Sequence, residues 1–461
     1  MVFASTSFLF LFLPLFLLVY GLAPRRWRNL VILTFSWLFY AWWRLDFLPL
    51  IVSIAVWSWA SGRWIERATA ARRRHALWLA IAWPLLALVY FKYANLLAGS
   101  AAALGAPLPH WQAVLLPIGL SFFVFGAISY SVDVYRGTVP AETSFVNYAT
   151  YQSMFGHLVA GPVVRYAWVA QRLHQRAFAR DEFAAGCERF MLGFAQKVLL
   201  ADTLAPLADS AFQLAVPSAA DAALGVLAYT LQLYFDFAGY SGMAIGLGLM
   251  VGLKFPENFR HPYLSRSLSD FWRRWHISLS SWLRDYLYIP LGGNRHGQAR
   301  ACVNLLITMA LGGLWHGASW TFLVWGLWHG AGLTIERLWR GAALAAPPRW
   351  AGHGLTLLFV MLGWLLFRAQ TWHAAAVMGG GLLGQHGWGL SSTLAAALHP
   401  NQTLTLLAGV ALVYLPLTWS GAPLRTARAD SVATWLALPL FLCALWTLQG
   451  RSVVPFLYFQ F

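Results

Sequence analysis

Charge is scarce in this chain of 461 residues: Asp, Glu, Lys and Arg together make up only 10%, whereas soluble proteins carry about a quarter. That excludes a soluble domain of ordinary composition. The three cysteines, Cys187, Cys302 and Cys443, lie far apart in or beside apolar runs. No Cys-x-x-Cys pair occurs, which argues against a disulfide framework and a zinc site. No His-x-x-x-His pair occurs either, so the sequence points to no metal and no resident cofactor. There is no internal repeat of the kind that marks an inverted-repeat transporter, no low-complexity segment and no separate soluble module. The net charge of +16 therefore has no soluble basic domain to carry it, and nucleic acid drops out as a partner.

What fills the chain is apolar surface: 59% of residues are hydrophobic, including 26 Trp and 31 Phe. Repeated apolar runs of about twenty residues, each long enough to cross roughly 30 Å of hydrocarbon, predict an all-α polytopic protein embedded in a lipid bilayer. The aromatics fit interfacial belts and a bulky intramembrane core. The runs fall near 8–22, 30–62, 76–94, 113–135, 145–164, 186–206 and 221–253, then 301–315, 318–336, 353–367, 376–398, 402–419 and 432–449. The run 30–62 holds two crossings joined by a turn at Arg44-Leu45-Asp46, while 145–164 and 376–398 read as re-entrant or interfacial. About 9–12 transmembrane helices are expected, in a single integral-membrane domain spanning 1–461.

Arg25, Arg26 and Arg28 follow the first run instead of preceding it, and no small-residue cleavage site intervenes. The run therefore reads as a retained helix, not a signal peptide. By the positive-inside rule its N-terminus is periplasmic and the chain sits in the inner membrane. The basic segment from Arg63 to His75, with Arg67, Arg72, Arg73 and Arg74, then reads as a cytoplasmic loop. The stretch 95–111 contains no Lys or Arg and reads as a periplasmic loop. Arg165, Arg172, Arg176 and Arg180 mark a cytoplasmic return, and Arg337, Arg340 and Arg349 another. Beyond topology, a basic cytoplasmic rim can collect an anionic donor such as a coenzyme A thioester.

Residues 254–300 form the one long interval of mixed polarity. Pro256 and Pro262 block a regular helix at its start, Ser269 or Asp270 supplies an N-cap, and Pro290 with Gly292-Gly293 ends it. Between them Trp272, Trp275, His276, Leu279, Trp282, Leu283 and Tyr286 recur at three-and-four spacing. This predicts one amphipathic helix of about five turns lying at the interface, with Arg273, Arg274, Ser281, Arg284 and Asp285 on its other face. His276 falls on the apolar face. A second histidine, His316, stands among glycines and tryptophans in Leu311-Gly312-Gly313-Leu314-Trp315-His316-Gly317-Ala318-Ser319-Trp320. An ionisable group at membrane depth costs roughly a few kcal/mol, so it usually lines a cavity or does a job. Each also has a structural reading: His276 as a packed ring satisfied by backbone, and Gly312, Gly313 and Gly317 around His316 as a helix crossing. Two such histidines in one polytopic chain suggest a proton-handling site. On a continuous helix His329 would point away from His316, as a structural residue.

At this point the residues resemble a family, the membrane-bound O-acyltransferases, in the bacterial branch typified by the alginate O-acetyltransferase membrane subunit. The resemblance rests on Phe271-Trp272-Arg273-Arg274-Trp275-His276-Ile277-Ser278-Leu279-Ser280, Trp282-Leu283-Arg284-Asp285-Tyr286, Tyr288-Ile289-Pro290-Leu291-Gly292-Gly293-Asn294-Arg295 and Gly313-Leu314-Trp315-His316-Gly317-Ala318-Ser319-Trp320. Supporting segments are Ser131-Val132-Asp133-Val134-Tyr135-Arg136-Gly137, His157-Leu158-Val159-Ala160-Gly161-Pro162, Tyr234-Phe235-Asp236-Phe237 and the terminal Phe456-Leu457-Tyr458-Phe459-Gln460-Phe461. Two positions depart from the branch: Gly242 stands where Asp is common, and Gly126 where Gln is common.

The resemblance implies the family's fold and acyl transfer through a tunnel, with a catalytic region at about 254–330. Acetyl-coenzyme A would present its thioester from the cytoplasm, and a hydroxyl acceptor would be reached from the periplasmic side. His316, likened to the family's invariant histidine, is the implied base; His276 is the second polar group, orienting the donor or donating to the oxyanion. Arg273, Arg274, Trp275, Arg284, Asn294 and Arg295 are donor-side candidates, although topology alone also explains each arginine. Relatives work with periplasmic or membrane-anchored acetyltransferase partners that finish delivery to an exopolysaccharide, alginate first and cellulose or another cell-surface polymer next. A related branch moves D-alanine from a carrier protein onto teichoic acid. The rival classes are a proton-coupled transporter and a non-enzymatic export scaffold. A transporter predicts polar residues spread over several helices, whereas here they cluster between 254 and 330; a scaffold gives no reason for two costly histidines.

Overall fold

Long apolar helices alternate with short buried ones along the chain. The computed structural model describes residues 2–106, 111–176, 179–415, 432–450 and 456–457, and every regular element among them is helical. Among the described residues, four helices have the length and apolarity to cross a bilayer: Leu45–Arg67, Ala70–Ala103, Arg180–Phe212 and Arg349–Arg368. The helix Ala219–Met250, at 32 residues, is about 48 Å long and exceeds the hydrocarbon thickness. The chain is a multi-pass, all-α membrane protein.

Much of the hydropathy reading holds. The first run is helical from Phe8 to Leu22, and the run 30–62 divides at Arg44 into Arg28–Ala41 and Leu48–Arg67. The run 145–164 yields only Phe145–Ser153 and Phe155–Leu158, both too short to span. Likewise 376–398 yields the ends of Trp372–Leu382 and the short Ser392–Ala397.

Three expectations fail. The basic loop Arg63–His75 shrinks to a break at Ala68-Thr69, with its arginines on the ends of Leu48–Arg67 and Ala70–Leu88. Most of the expected loop 95–111 is helix, because Ala94–Ala103 continues the preceding span; alanine favours helix wherever nothing breaks it. The third is the amphipathic helix around His276, which is two helices, Leu268–Arg274 and Ile277–Leu283.

The chain packs as two units, Met1–Phe190 with Met243–Pro256, and Met191–Gly242 with Glu257–Phe461. In the first, a phenylalanine cluster forms around Phe155, whose ring meets Phe12 and Phe16 edge-on at 5.2 and 5.0 Å. The opposite face of the first helix carries Phe10, Leu11, Leu18 and Leu22, all exposed. A helix that is apolar all round belongs in hydrocarbon.

In the second unit, Gly297–His316 and Trp320–Gly341 pack as an antiparallel pair whose crossing depends on missing side chains. A Cβ on Gly313 would lie 2.2 Å from the Phe322 carbonyl oxygen, and one on Gly326 would lie 2.2 Å from that of Met309. Small residues of this kind let membrane helices touch backbone to backbone. Gly326→Ala should therefore force the pair apart and cost about 1–3 kcal/mol of overpacking. Gly354→Ala is the control: nothing lies within 4 Å of its Cβ position. Thermal unfolding in detergent should show a lowered midpoint for the first variant only, and equal midpoints would refute the crossing.

The second unit also buries a charge cluster. Lys197 pairs with Asp202 and lies 3.3 Å from Asp236, all three side chains nearly inaccessible. Asp236 accepts the backbone N–H of Leu457 at 3.0 Å.

Candidate active site

His316 is the last residue of the helix Gly297–His316. The chain turns through Gly317 and Ala318, and Ser319 caps the next helix by accepting the Phe322 N–H at 3.4 Å. Gly317 is needed because a Cβ there would lie 2.2 Å from the Phe322 ring. The His316 ring, 6% exposed, meets Trp315, Trp325 and Phe367 edge-on at 5.0, 5.1 and 5.4 Å. The turn also corrects the placement of His329. It lies not on one helix with His316 but on the antiparallel partner, fully buried, its ring 5.0 Å from the same Trp325. Both His329 ring nitrogens lack a hydrogen-bond partner among the described residues.

His316 lines a cavity of ≈ 560 Å³ built entirely from the second unit, within the range of small-molecule sites. Its exposed lining includes Arg284, Asn294, Gln298 and Arg340; its buried lining includes Leu279, Thr308, Met309, Gly312 and Trp325 beside His316. The cavity thus runs from an exposed, cationic mouth to a buried, apolar aromatic end holding the histidine. Two of the mouth arginines are compensated: Arg284 donates to Asp285 at 2.7 and 3.2 Å, and Arg340 to Glu336. Arg337, also in the lining, donates to Asn294 Oδ1 at 2.9 Å. Its Nε is buried without a partner, and no carboxylate pairs with it among the described residues. Arg337 is the uncompensated cation of the mouth.

The single amphipathic helix expected around His276 is instead two. Ser267, not Ser269 or Asp270, caps Leu268–Arg274 by accepting the Asp270 N–H at 3.2 Å. A new helix, Ile277–Leu283, follows, and a π-turn over Arg284–Tyr288 ends the segment before Pro290. The pivot is His276, at φ 42°, a left-handed conformation that non-glycine residues rarely hold unless the surroundings impose it. Asn258 imposes it: its Oδ1 lies 3.0 Å from His276 Nδ1 and accepts from the backbone N–H and hydroxyl of Ser278 at 3.3 and 2.9 Å. Its amide donates to Ser241 Oγ at 3.1 Å. His276 is fully buried, with Phe237 edge-on at 4.7 Å, and does not line the cavity. Trp315 lies between the two histidines, 6.1 Å from His276 and 5.0 Å from His316 by ring centroids.

Of the remaining candidates, the cavity brings Arg284 and Asn294 together with His316 and leaves out Arg273, Arg274, Trp275 and Arg295. Arg273 and Arg274 turn toward Asp270, at 3.9 and 2.9 Å. Trp275 is buried against Trp364 and Phe259 at 4.8 and 5.0 Å. Arg295 is exposed outside the lining. Both half-helices still contribute to the lining, Trp272 from the first and Leu279 and Leu283 from the second. Sequence reading missed Trp272 and Trp325 as lining residues, and took Arg337 and Arg340 for topology markers alone. A helical stripe was there to be read: 298, 305, 308, 309, 312 and 316 share one face, as do 325, 333, 337 and 340.

The sequence profile of the membrane-bound O-acyltransferase family matches residues 137–370, and these enclose both histidines and the whole cavity. The chain belongs to this family. It is 46% identical, over the full length of both chains, to a probable alginate O-acetylase of Pseudomonas putida. It is 33% identical to the peptidoglycan O-acetyltransferase of Helicobacter pylori, over 84% of this chain and 80% of the other. Similarity to the teichoic acid D-alanyltransferase of Bacillus subtilis is weaker, 26% over 56% of this chain and 69% of that one. The chain is an O-acyltransferase, of the branch that includes the alginate enzymes.

Proposed function

We propose that this membrane enzyme moves acetyl groups from acetyl-coenzyme A to hydroxyls of an exopolysaccharide, alginate in the first instance, with periplasmic or membrane-anchored proteins completing delivery. In this reading it sits in the inner membrane with its N-terminus in the periplasm. The observation that carries the chemistry is one cavity with arginines at its open end and His316 at its buried end. A donor with a phosphorylated head and a thioester tip needs that polarity. Arg337, with Arg284 and Arg340, holds the phosphates; the thioester reaches the aromatic end; the His316 imidazole removes the acceptor's hydroxyl proton as the hydroxyl oxygen attacks the thioester carbon, and the tetrahedral intermediate then collapses with cleavage of the C–S bond, the departing coenzyme A thiolate taking the proton back from His316 to leave as the thiol. The buried indole N–H groups of Trp272 and Trp325, both without a partner among the described residues, are the donors available for the developing oxyanion. His276 acts as a positioning residue, fixing through Asn258 the angle between the half-helices that supply Trp272 and Leu279 to the lining.

The reading is tested with the full-length protein in liposomes, acetyl-labelled coenzyme A, the partner proteins and polymer, following label in the polymer. Arg337→Gln should raise the donor KM at least about tenfold with kcat changed little, since one charge-assisted contact is worth roughly 1.5–3 kcal/mol and is made in ground and transition states alike. An unchanged KM would remove Arg337 from the donor site. No transfer by folded wild type in the complete mixture would overturn the assignment of donor or polymer.

A further inference from the structure

We propose that the first unit carries a separate site for the phosphate group of an anionic phospholipid. A cavity of ≈ 340 Å³ there is lined by Arg25, Arg28, Asn29, His174, Gln175 and Arg176, among others. Nearby cations of the unit are neutralised: Arg172 donates to Glu182 at 2.8 and 3.1 Å, and Lys254 lies 2.9 Å from the same carboxylate. Arg25, Arg28 and Arg176 have no such partner among the described residues. Arg28 Nη1 and Arg176 Nε and Nη2 are buried without any hydrogen bond. The contacts these two arginines do make are to neutral groups. Arg28 Nε donates to the Ala23 carbonyl at 3.4 Å, and its guanidinium stacks 5.2 Å from the Tyr20 ring centre. Arg176 donates to the Tyr20 hydroxyl at 3.3 Å.

Buried N–H groups that have lost water and gained no acceptor are costly, and native structures rarely keep them. Here three arginines surround one space, two of them with such groups. Guanidinium forks match the oxygens of a phosphate in shape as well as charge. The carboxylate met by His174, Glu142, is already committed. It lies 2.8 Å from His174 Nε2 and accepts from the Tyr166 hydroxyl at 2.6 Å and the Ser144 N–H at 2.8 Å, which leaves the arginines to face an anion.

The surroundings indicate a lipid source for the phosphate. The helix that leads into Arg25 presents Leu15, Leu18 and Leu22 outward, 48%, 60% and 78% exposed, and Trp27 follows at 49%. Apolar side chains ending in a tryptophan and a basic cluster mark the level where acyl chains give way to headgroups. This site does not depend on the catalytic reading.

Full-length protein in nonionic detergent, titrated with phosphatidylglycerol and with phosphatidylcholine under native mass spectrometry, tests the proposal; equilibrium dialysis with labelled inorganic phosphate is the soluble arm. Arg28→Gln/Arg176→Gln should weaken phosphatidylglycerol binding at least about tenfold and leave phosphatidylcholine binding unchanged. Arg26→Gln, outside the cavity lining, should bind as wild type. If the double variant does not fold, Arg28→Lys/Arg176→Lys, which keeps the charge and loses the fork, should still weaken phosphatidylglycerol several-fold. Wild-type affinity in a folded double variant overturns the site. Loss of inorganic phosphate with phosphatidylglycerol retained overturns the lipid assignment.

Discussion

His316→Ala is expected to lower acetyl transfer about 10²–10⁴-fold, the usual contribution of a positioned general base, while donor affinity stays within a few-fold of wild type. The split follows from geometry. The histidine sits at the buried end of the cavity among Trp315, Trp325 and Phe367, whereas the cations that would hold the donor's phosphates are at the mouth. Removing the imidazole would delete the proposed proton acceptor and leave the proposed donor contacts in place, so kcat should fall and KM be nearly kept. The substitution also empties space in an aromatic cage and will cost some stability. Unfolding midpoints must therefore be measured alongside, and His316→Gln compared, since it fills more of the space without supplying a base. A folded His316→Ala protein with activity within about fivefold of wild type would rule out the base. Recovery of activity in His316→Gln would mean that His316 packs the cage and does not move a proton.

Parts of this site were legible in the sequence and parts were not, for identifiable reasons. The turn after His316 has a local signal, a helix-breaking Gly317 followed by the N-cap Ser319, which the placement of His329 on one continuous helix passed over. The break at His276 has none. No glycine or proline marks it, and spacing alone continues a helix through Trp275-His276-Ile277; the left-handed residue is held by Asn258, from a segment with no regular structure. The donor-side candidates came from the family resemblance, and of these the cavity lining takes in Arg284 and Asn294 and leaves out Arg273, Arg274, Trp275 and Arg295. Arg337 escaped for another reason. Local pattern puts it on one helix face with Trp325 and Arg340, but its meeting with Asn294 depends on the hairpin. The departure at Gly126 also finds an account. A Cβ there would lie 3.1 Å from Gln152 Oε1, and Gln152 donates to the Phe123 carbonyl at 2.6 Å. An amide borne by the neighbouring helix occupies the space beside that glycine.

Lys197→Met is expected to be the most destabilising single change outside the site, by roughly 3–5 kcal/mol, because breaking a buried ion pair from one side strands the other charge. Lys197 answers two carboxylates, Asp202 and Asp236, with side chains 3%, 7% and 3% exposed respectively. The ammonium rises from a π-helical turn, Gln196–Ala201, an irregularity that is often found where a side chain must be aimed at a particular point. Asp236 has a second duty. Its other oxygen accepts the Leu457 N–H, and the adjoining Phe456 ring stacks on Tyr240 at 4.4 Å and meets Phe237 at 5.8 Å. Phe237 is the ring that backs His276 at 4.7 Å. Loss of Lys197 should therefore loosen the hold on Leu457 and reach His276 through that stack. Charge imbalance can be told from lost packing with one further variant. Lys197→Met/Asp202→Leu/Asp236→Asn removes every charge of the cluster and keeps an acceptor for Leu457, and a charge-free core of similar volume is commonly as stable as the ion pair it replaces. The triple variant should recover most of the lost unfolding midpoint. A triple variant as unstable as Lys197→Met would mean that the lysine stem and the π-turn, not the charge, hold this part of the second unit together.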